Sequence, residues 1–382
     1  MSRPVDEIAR ALIAPLLDAR PSADQWRLIA WDVEHGITLT LAKDDRVLLI
    51  EVASGDEDER GTARTARFNL YARRLFAGEV PLDAEERNVV AHVARLLRRS
   101  ERALPVIERP VSSARTTVRE IEVDRVLIPE GRGHYYVNPY VGCVIGCAFC
   151  WVAERADQSR ALEGLPRQEW GRWVDVKRNA PEVLRREVRM HPPGIVRLSP
   201  VITDPYQPIE RKHRITRQCL EVLVEARFSP VVLTREPRVT EDLGLLAQAP
   251  SAAVGLSIPT DDDTVRQRFE PGASPIEERL EALARCHAAG LRTFAVVQPV
   301  LPMDPERLVA RVAPFVRSVR IDRMHDPARY AELYARAGRP DAATDAFAEG
   351  VEAALREGFS RRGVAIDELD DLASTLGVAA TT

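Results

Sequence analysis

Three of the five cysteines in this 382-residue chain fall within eight residues, at Cys143, Cys147 and Cys150, in the order Cys-x3-Cys-x2-Cys. A disulfide framework would spread its cysteines along the chain, whereas a cluster of thiolates is a soft ligand set of the kind that holds iron–sulfur centres. Three thiolates from one tight loop satisfy three irons of a [4Fe–4S] cubane and leave the fourth iron open to a chelating molecule. Structural zinc wants four ligands, and the nearest histidines, His134 and His191, are poorly spaced to supply the fourth. Gly142 and Gly146 suit a loop that curls closely around a cluster. A non-catalytic protein using the triplet for an iron–sulfur or zinc site stands as the alternative of another class. Cys219 and Cys286 sit among apolar neighbours at helical spacing, as core cysteines do, and two thiols cannot hold a second cubane.

The elements that must position this loop follow from hydrophobic periodicity. The spacing predicts a small α+β unit over residues 1–103. It has a helix over Val5–Leu17, strands over Trp26–Val33 and Ile37–Val52 with a turn at Lys43-Asp44-Asp45, an acidic loop at Asp56–Arg60, and helices over Ala63–Phe76 and Ala84–Arg99. Residues 104–132, with Pro105, Pro110 and Pro129, read as a connector. From 133 to 325 strands and helices alternate, with strands at His134–Val141, Ile195–Thr203, Pro230–Thr234, Ala252–Ile258, Arg292–Gln298 and Ser318–Arg323. Six βα units in succession imply an α/β fold, a partial (β/α)6 TIM-like barrel with its active site at the carboxyl ends of the strands. Residues 326–382 read as a helical C-terminal tail that packs on the barrel.

Composition narrows the partners. A net charge of −4 gives no overall basic field for phosphate backbones. No apolar run approaches the ~20 residues of a membrane span, and the first residues lack the core of a signal peptide, so the expectation is a cytoplasmic protein without a membrane partner. Of 54 basic residues only Lys43, Lys177 and Lys212 are lysines. Lys177, just before a helix start, reads as solvated.

The triplet, the aromatic Phe149 before the third cysteine and the strand–loop context resemble the radical SAM superfamily. The fuller pattern is similar to its spore photoproduct lyase-related branch, described as DNA repair photolyase-like. The stretches that carry this are Asn138-Pro-Tyr-Val-Gly-Cys143, Thr203-Asp-Pro-Tyr-Gln-Pro-Ile-Glu210, Leu233-Thr-Arg235, Gly255-Leu-Ser257-Ile-Pro259, Arg268-Phe-Glu-Pro-Gly272 leading to Arg279, and Gln298-Pro-Val-Leu-Pro302.

The resemblance covers roughly residues 130 to 325. It implies two cofactors, the [4Fe–4S] cluster and S-adenosyl-L-methionine (SAM), with reductive cleavage of SAM to a 5′-deoxyadenosyl radical that abstracts hydrogen from a substrate. It also implies a reducing partner such as a flavodoxin or ferredoxin. Phe149, with Trp151 as a weaker candidate, would approach the adenine. Thr203 and Asp204 would contact SAM, Arg235 would face its carboxylate where the family usually has lysine, and Ser257 would be a further contact. Bland readings of the same residues are core packing for Phe149, a turn or cap for Asp204, a surface ion for Arg235 and a buried hydroxyl for Ser257. Glu270 and Arg279 fit the pattern either as site residues or as a structural pin. The branch's namesake has a hydrogen-donating cysteine just before the aspartate of strand two. Here that stretch reads Ser199-Pro-Val-Ile-Thr203, leaving Cys219 or Tyr206 as substitutes. A peptide or small-molecule substrate is therefore favoured over a DNA lesion.

Overall fold

The computed structural model describes residues 4–17, 25–34, 36–54, 63–65, 68–77, 80–101, 109–112, 115–199, 202–367 and 377. The acidic loop at Asp56–Arg60, the first part of the connector and most of the chain beyond residue 367 lie outside them.

The N-terminal unit is an antiparallel sheet in the order β1-β2-β3-β5-β4, from β1 (Arg27–Asp32), β2 (Ile37–Lys43), β3 (Arg46–Ser54), β4 (Ala63–Arg64) and β5 (Phe68–Leu75). Helices α1 (Pro4–Leu17) and α2 (Ala84–Ser100) cover one face, and Leu12, Ile13, Leu39, Ile50, Leu70, Val90 and Leu97 fill the space between. Asp83 caps α2 by accepting from the Glu86 amide, and the Glu86 carboxylate accepts from the Asp83 amide, a reciprocal capping box. The helix expected over Ala63–Phe76 is two strands. Pairing of Val47–Ser54 with Phe68–Leu75 along eight residues overrides the local helical spacing, because it closes the hydrogen bonds of a long neighbouring strand.

A three-stranded sheet comes next, β6-β10-β9, and its members are β6 (Thr117–Ile121), β9 (Tyr140–Val141) and β10 (Trp173–Lys177). The largest sheet runs from β7 (Ile128–Gly131) through β8 (His134–Tyr136), β11 (Ile195–Leu198), β12 (Ser229–Thr234), β13 (Ala253–Ser257), β14 (Arg292–Val297) and β15 (Ser318–Ile321) to β16 (Ala365–Ile366). From β8 to β16 every pairing is parallel, and β7 joins β8 antiparallel. The fold is mixed α/β, and among the described residues this sheet stays open. All six expected strand positions are occupied. The segment expected as one strand over His134–Val141 is divided into β8 and β9, which belong to different sheets. The C-terminal segment forms a helix over Asp345–Arg361 and also contributes β16, a strand too short to show a period of its own.

Pleating of the parallel strands assigns each side chain to a face. Val232, Val254, Leu256, Ala295 and Val297 point to the helix layer, while Ile195, Val231, Ala253, Phe294 and Val296 form a separate inner cluster. Gly255 lies in the middle of β13 because the Phe294 ring takes its side-chain space; a Cβ there would stand 2.1 Å from the ring. Ser257, two residues on, is on this inner face. Among the described residues, no helix is long and apolar enough to cross a membrane.

Candidate active site

The cysteine loop connects β9 to helix α3 (Val152–Leu162). Two close backbone approaches shape it. Gly142, at φ +81°, lies against Trp173, where a Cβ would meet the ring at 2.5 Å. Gly146, at φ +66°, faces Gly171, itself at φ +89°. Only glycine combines that backbone with that proximity.

The loop is stitched to the segment that leaves β11. Thr203 Oγ1 donates to the Gly142 carbonyl at 2.7 Å, Gln207 Nε2 donates to Thr203 Oγ1 at 2.6 Å, and the Val144 amide donates to Gln207 Oε1 at 2.9 Å. Gln207 is fully buried. It was not singled out from the sequence, although the Thr-Asp-Pro-Tyr-Gln-Pro stretch contains it. Asp204 accepts from the Tyr206 amide at 2.9 Å, the Thr234 hydroxyl at 2.5 Å and the Arg235 amide at 2.8 Å, so its carboxylate fastens the end of β12 to the end of β11. Burial pushes the Asp204 carboxyl above its ordinary value, against these three donors.

All three triplet cysteines open onto one cavity of about 650 Å³, which is also lined by Phe149, Trp151, Thr203, Asp204, Arg235 and Ser257. Every residue singled out from the sequence for SAM or metal therefore meets at one place. The thiols are unpaired, and burial raises each of them, Cys143 to about 12. The Arg235 charge acts in the opposite direction on Cys147 and Cys150. Trp151 is half-exposed at the mouth.

Arg235 is no surface ion. Its Nε donates to Glu270, Glu270 pairs with Arg279 at 2.8 Å, and Arg279 also donates to the Ser257 and Ser274 carbonyls, each at 2.9 Å. Burial works against ionisation of Glu270, yet Arg279 and Arg235 together hold its carboxyl below the ordinary range.

Two sequence readings need correction. Lys177 is 2% exposed and paired with Glu34, so it is a buried ion joining the N-terminal unit to β10 and not a solvated one. The reason is tertiary: β1 and β2 place Glu34 against this lysine. Tyr206, open as a substitute hydrogen donor, is buried with its hydroxyl donating to Asp242 at 2.8 Å and does not line the cavity; Cys219 lies in the core, as its apolar neighbours suggest, and does not line it either. The cavity also draws residues from outside the βα series. Ala53 and Tyr71 come from the N-terminal sheet, and Arg323, His325 and Tyr330 come from the segment after β15. No local motif marks them, because proximity in space alone brings them here.

The fold is α/β and gathers three thiols at the carboxyl edge of a parallel sheet. Residues 137–312 match the family model described as the radical SAM superfamily. The match spans 176 of the chain's 382 residues. It is 28% identical over 183 residues to an uncharacterized protein of Methanocaldococcus jannaschii, covering 47% of this chain and 66% of that protein. It is likewise 28% identical over 226 residues to the radical SAM Nalpha-GlyT isomerase of Pseudomonas phage M6, covering 56% of this chain and 45% of the isomerase. The chain thus spans between about half and two thirds of the length of these curated relatives. Among solved structures, a spore photoproduct lyase variant with bound AdoMet and dinucleoside spore photoproduct is similar at 14% identity and a TM-score of 0.46, covering 65% of this chain and 80% of that one.

Proposed function

We propose that this protein is a radical SAM enzyme in which Cys143, Cys147 and Cys150 hold a [4Fe–4S] cluster and the cavity beside them seats SAM for reductive cleavage and hydrogen abstraction. The observation that carries this reading is the convergence of three unpaired thiols, Arg235 and Ser257 on one cavity at the strand ends. The donor set fits the group. A cubane spreads its three thiolates over three irons.

When bound, the cluster supplies an open iron and a low-potential electron, and SAM supplies the 5′-deoxyadenosyl radical. The chain's own residues hold and shield these groups. Phe149 and Trp151 offer aromatic surface for the adenine, and the Arg235 guanidinium offers a fork for the SAM carboxylate. Thr203 and Asp204 keep the cysteine loop and the strand ends in register, and Ser257 offers a hydroxyl on the inner face.

The same reading takes the parallel sheet as a partial TIM-like barrel over residues 133–325, with an N-terminal unit over 1–103, a connector over 104–132 and an extension over 326–382. The N-terminal unit helps to select the substrate, since Ala53 and Tyr71 line the cavity. Glu51 on β3 also pairs with Arg155, whose guanidinium stands 5.1 Å over the Trp151 ring. A peptide or a small molecule fits better than duplex DNA. A 650 Å³ space that also seats SAM, itself a drug-sized ligand, leaves room for one small substrate group. The alternatives to a donor cysteine, Tyr206 and Cys219, face away from that space. The thiols require a reducing compartment, the cytoplasm, and a flavodoxin or ferredoxin as electron donor.

Anaerobic reconstitution tests the reading. About four irons per chain, a visible absorbance bleached by dithionite and 5′-deoxyadenosine formed from SAM are expected. One zinc per chain without SAM cleavage overturns it in favour of a structural metal site.

A further inference from the structure

Resting on the reading of this cavity as a SAM seat, we infer that Glu270 is a positioning residue that aims Arg235 at the carboxylate of the bound amino-acid group. The Arg235 side chain is 11% exposed and Glu270 is fully buried. Glu270 takes Arg235 by Nε, the guanidinium stands 5.9 Å from the centre of the Phe149 ring, and among the described residues neither terminal nitrogen makes a hydrogen bond. A guanidinium gripped at Nε has its plane fixed and keeps two parallel N–H donors, the geometry that receives a carboxylate bidentately.

The grip is anchored on two sides. Arg279, fully buried and absent from the cavity wall, ties the second oxygen of Glu270 to the last carbonyl of β13, that of Ser257. Around Glu270 the backbone is bonded to the cysteine loop: the Ala148 amide donates to the Phe269 carbonyl and the Gly272 amide to the Ile145 carbonyl, each at 2.9 Å. Gly272 lies so close that a Cβ would stand 2.6 Å from the Val144 carbonyl oxygen. One short segment therefore sets the position of the cation relative to the thiols.

Stability is a poor explanation for this buried Arg–Glu–Arg set, because apolar replacements of such groups are commonly neutral or stabilising. What it supplies is a direction for Arg235.

The sign of one substitution separates aim from charge. Glu270→Gln leaves the seat more positive, so a purely electrostatic role predicts tighter SAM binding, and only a loss of aim predicts weaker binding. In the reconstituted full-length protein, Glu270→Gln is expected to weaken SAM by about tenfold or more, the scale of a lost charge-assisted fork. Binding of decarboxylated SAM, which lacks the group Arg235 would meet, changes by less than about twofold, and the iron content stays at the wild-type value. Glu270→Asp, which keeps the charge but shortens the reach, is expected to show the same selectivity at smaller size, and it serves as the test if the Gln variant loses iron. Unchanged or tighter SAM binding, or equal weakening of both ligands, overturns the inference. Failure of the wild-type protein to bind SAM would instead overturn the underlying reading of the seat.

Discussion

On the strand-end side of the cavity, Thr203, Asp204 and Arg235 are each held by buried partners that belong to a different element, so no one of them moves alone. The N-terminal side is built otherwise. Ala53 and Tyr71 reach the cavity from a sheet that has its own core and meets the rest through a small apolar cluster of Ala30 with Ile128 and Tyr136, and through polar links that include Glu34 to Lys177, Asp32 to the Tyr136 hydroxyl at 3.2 Å, and Glu51 to Arg155. Under the proposed function, the contrast divides two jobs between the two sides. A site for radical chemistry needs its donors preorganised and water excluded, and a network of shared hydrogen bonds provides that. On that reading the wall proposed to meet the substrate is a separate sheet docked against the first, able to differ without disturbing the proposed cofactor seat.

The largest expected effect falls on the strand-end side. Cys147→Ala should abolish both iron retention and 5′-deoxyadenosine formation, measured by metal analysis and chromatography after anaerobic reconstitution. Retention of full cleavage would remove the triplet from the chemistry. Next is the main polar link between the two sides. Lys177→Met leaves the buried Glu34 carboxylate without its ammonium and should cost about 3 to 5 kcal/mol in denaturant unfolding. The double replacement Lys177→Met with Glu34→Leu should recover most of that. A loss below about 1 kcal/mol would show the two regions to be coupled in another way.

The Glu51–Arg155 pair is more accessible. Glu51→Ala is expected to cost about 1 kcal/mol or less without changing the iron content. Loss of iron in that variant would break the division of labour, because it would make the N-terminal sheet part of the cofactor seat.

The smallest effect concerns pH. Burial, followed by the nearby Asp204 charge, pushes the Glu236 carboxyl up to about 7, although the Ser274 amide and hydroxyl both donate to it. An unfolded glutamate titrates near about 4.3. Between these values the folded chain binds more protons at this site than the unfolded chain, so its contribution to stability is full at low pH and is lost as pH rises through about 7. Glu236→Gln should flatten that part of the melting-temperature profile; an unchanged slope would place the titration elsewhere.

Much of the strand-end side was legible in the sequence because its information is local. The cysteine spacing, the glycines flanking it and the alternation of apolar runs each report on the residues that carry them, and the strand ends follow from where the runs stop. The sequence also placed Arg235 and Ser257 correctly at strand ends. It did not reveal that Glu270 grips that arginine, since their carboxylate and guanidinium meet across 35 positions of chain. The misread helix at Ala63–Phe76 has the same origin: a spacing compatible with a helix was overruled by eight residues of pairing with β3.

The clustering of three cysteines in one loop and the α/β order are legible in the sequence alone, because periodicity and spacing are properties of neighbouring residues. Packing of distant elements settled that Lys177 is a buried ion, that Tyr206 turns away from the cavity, and that Tyr71 comes to its wall. Burial and ion pairing depend on which elements pack together, and no local stretch of chain encodes its partner's position.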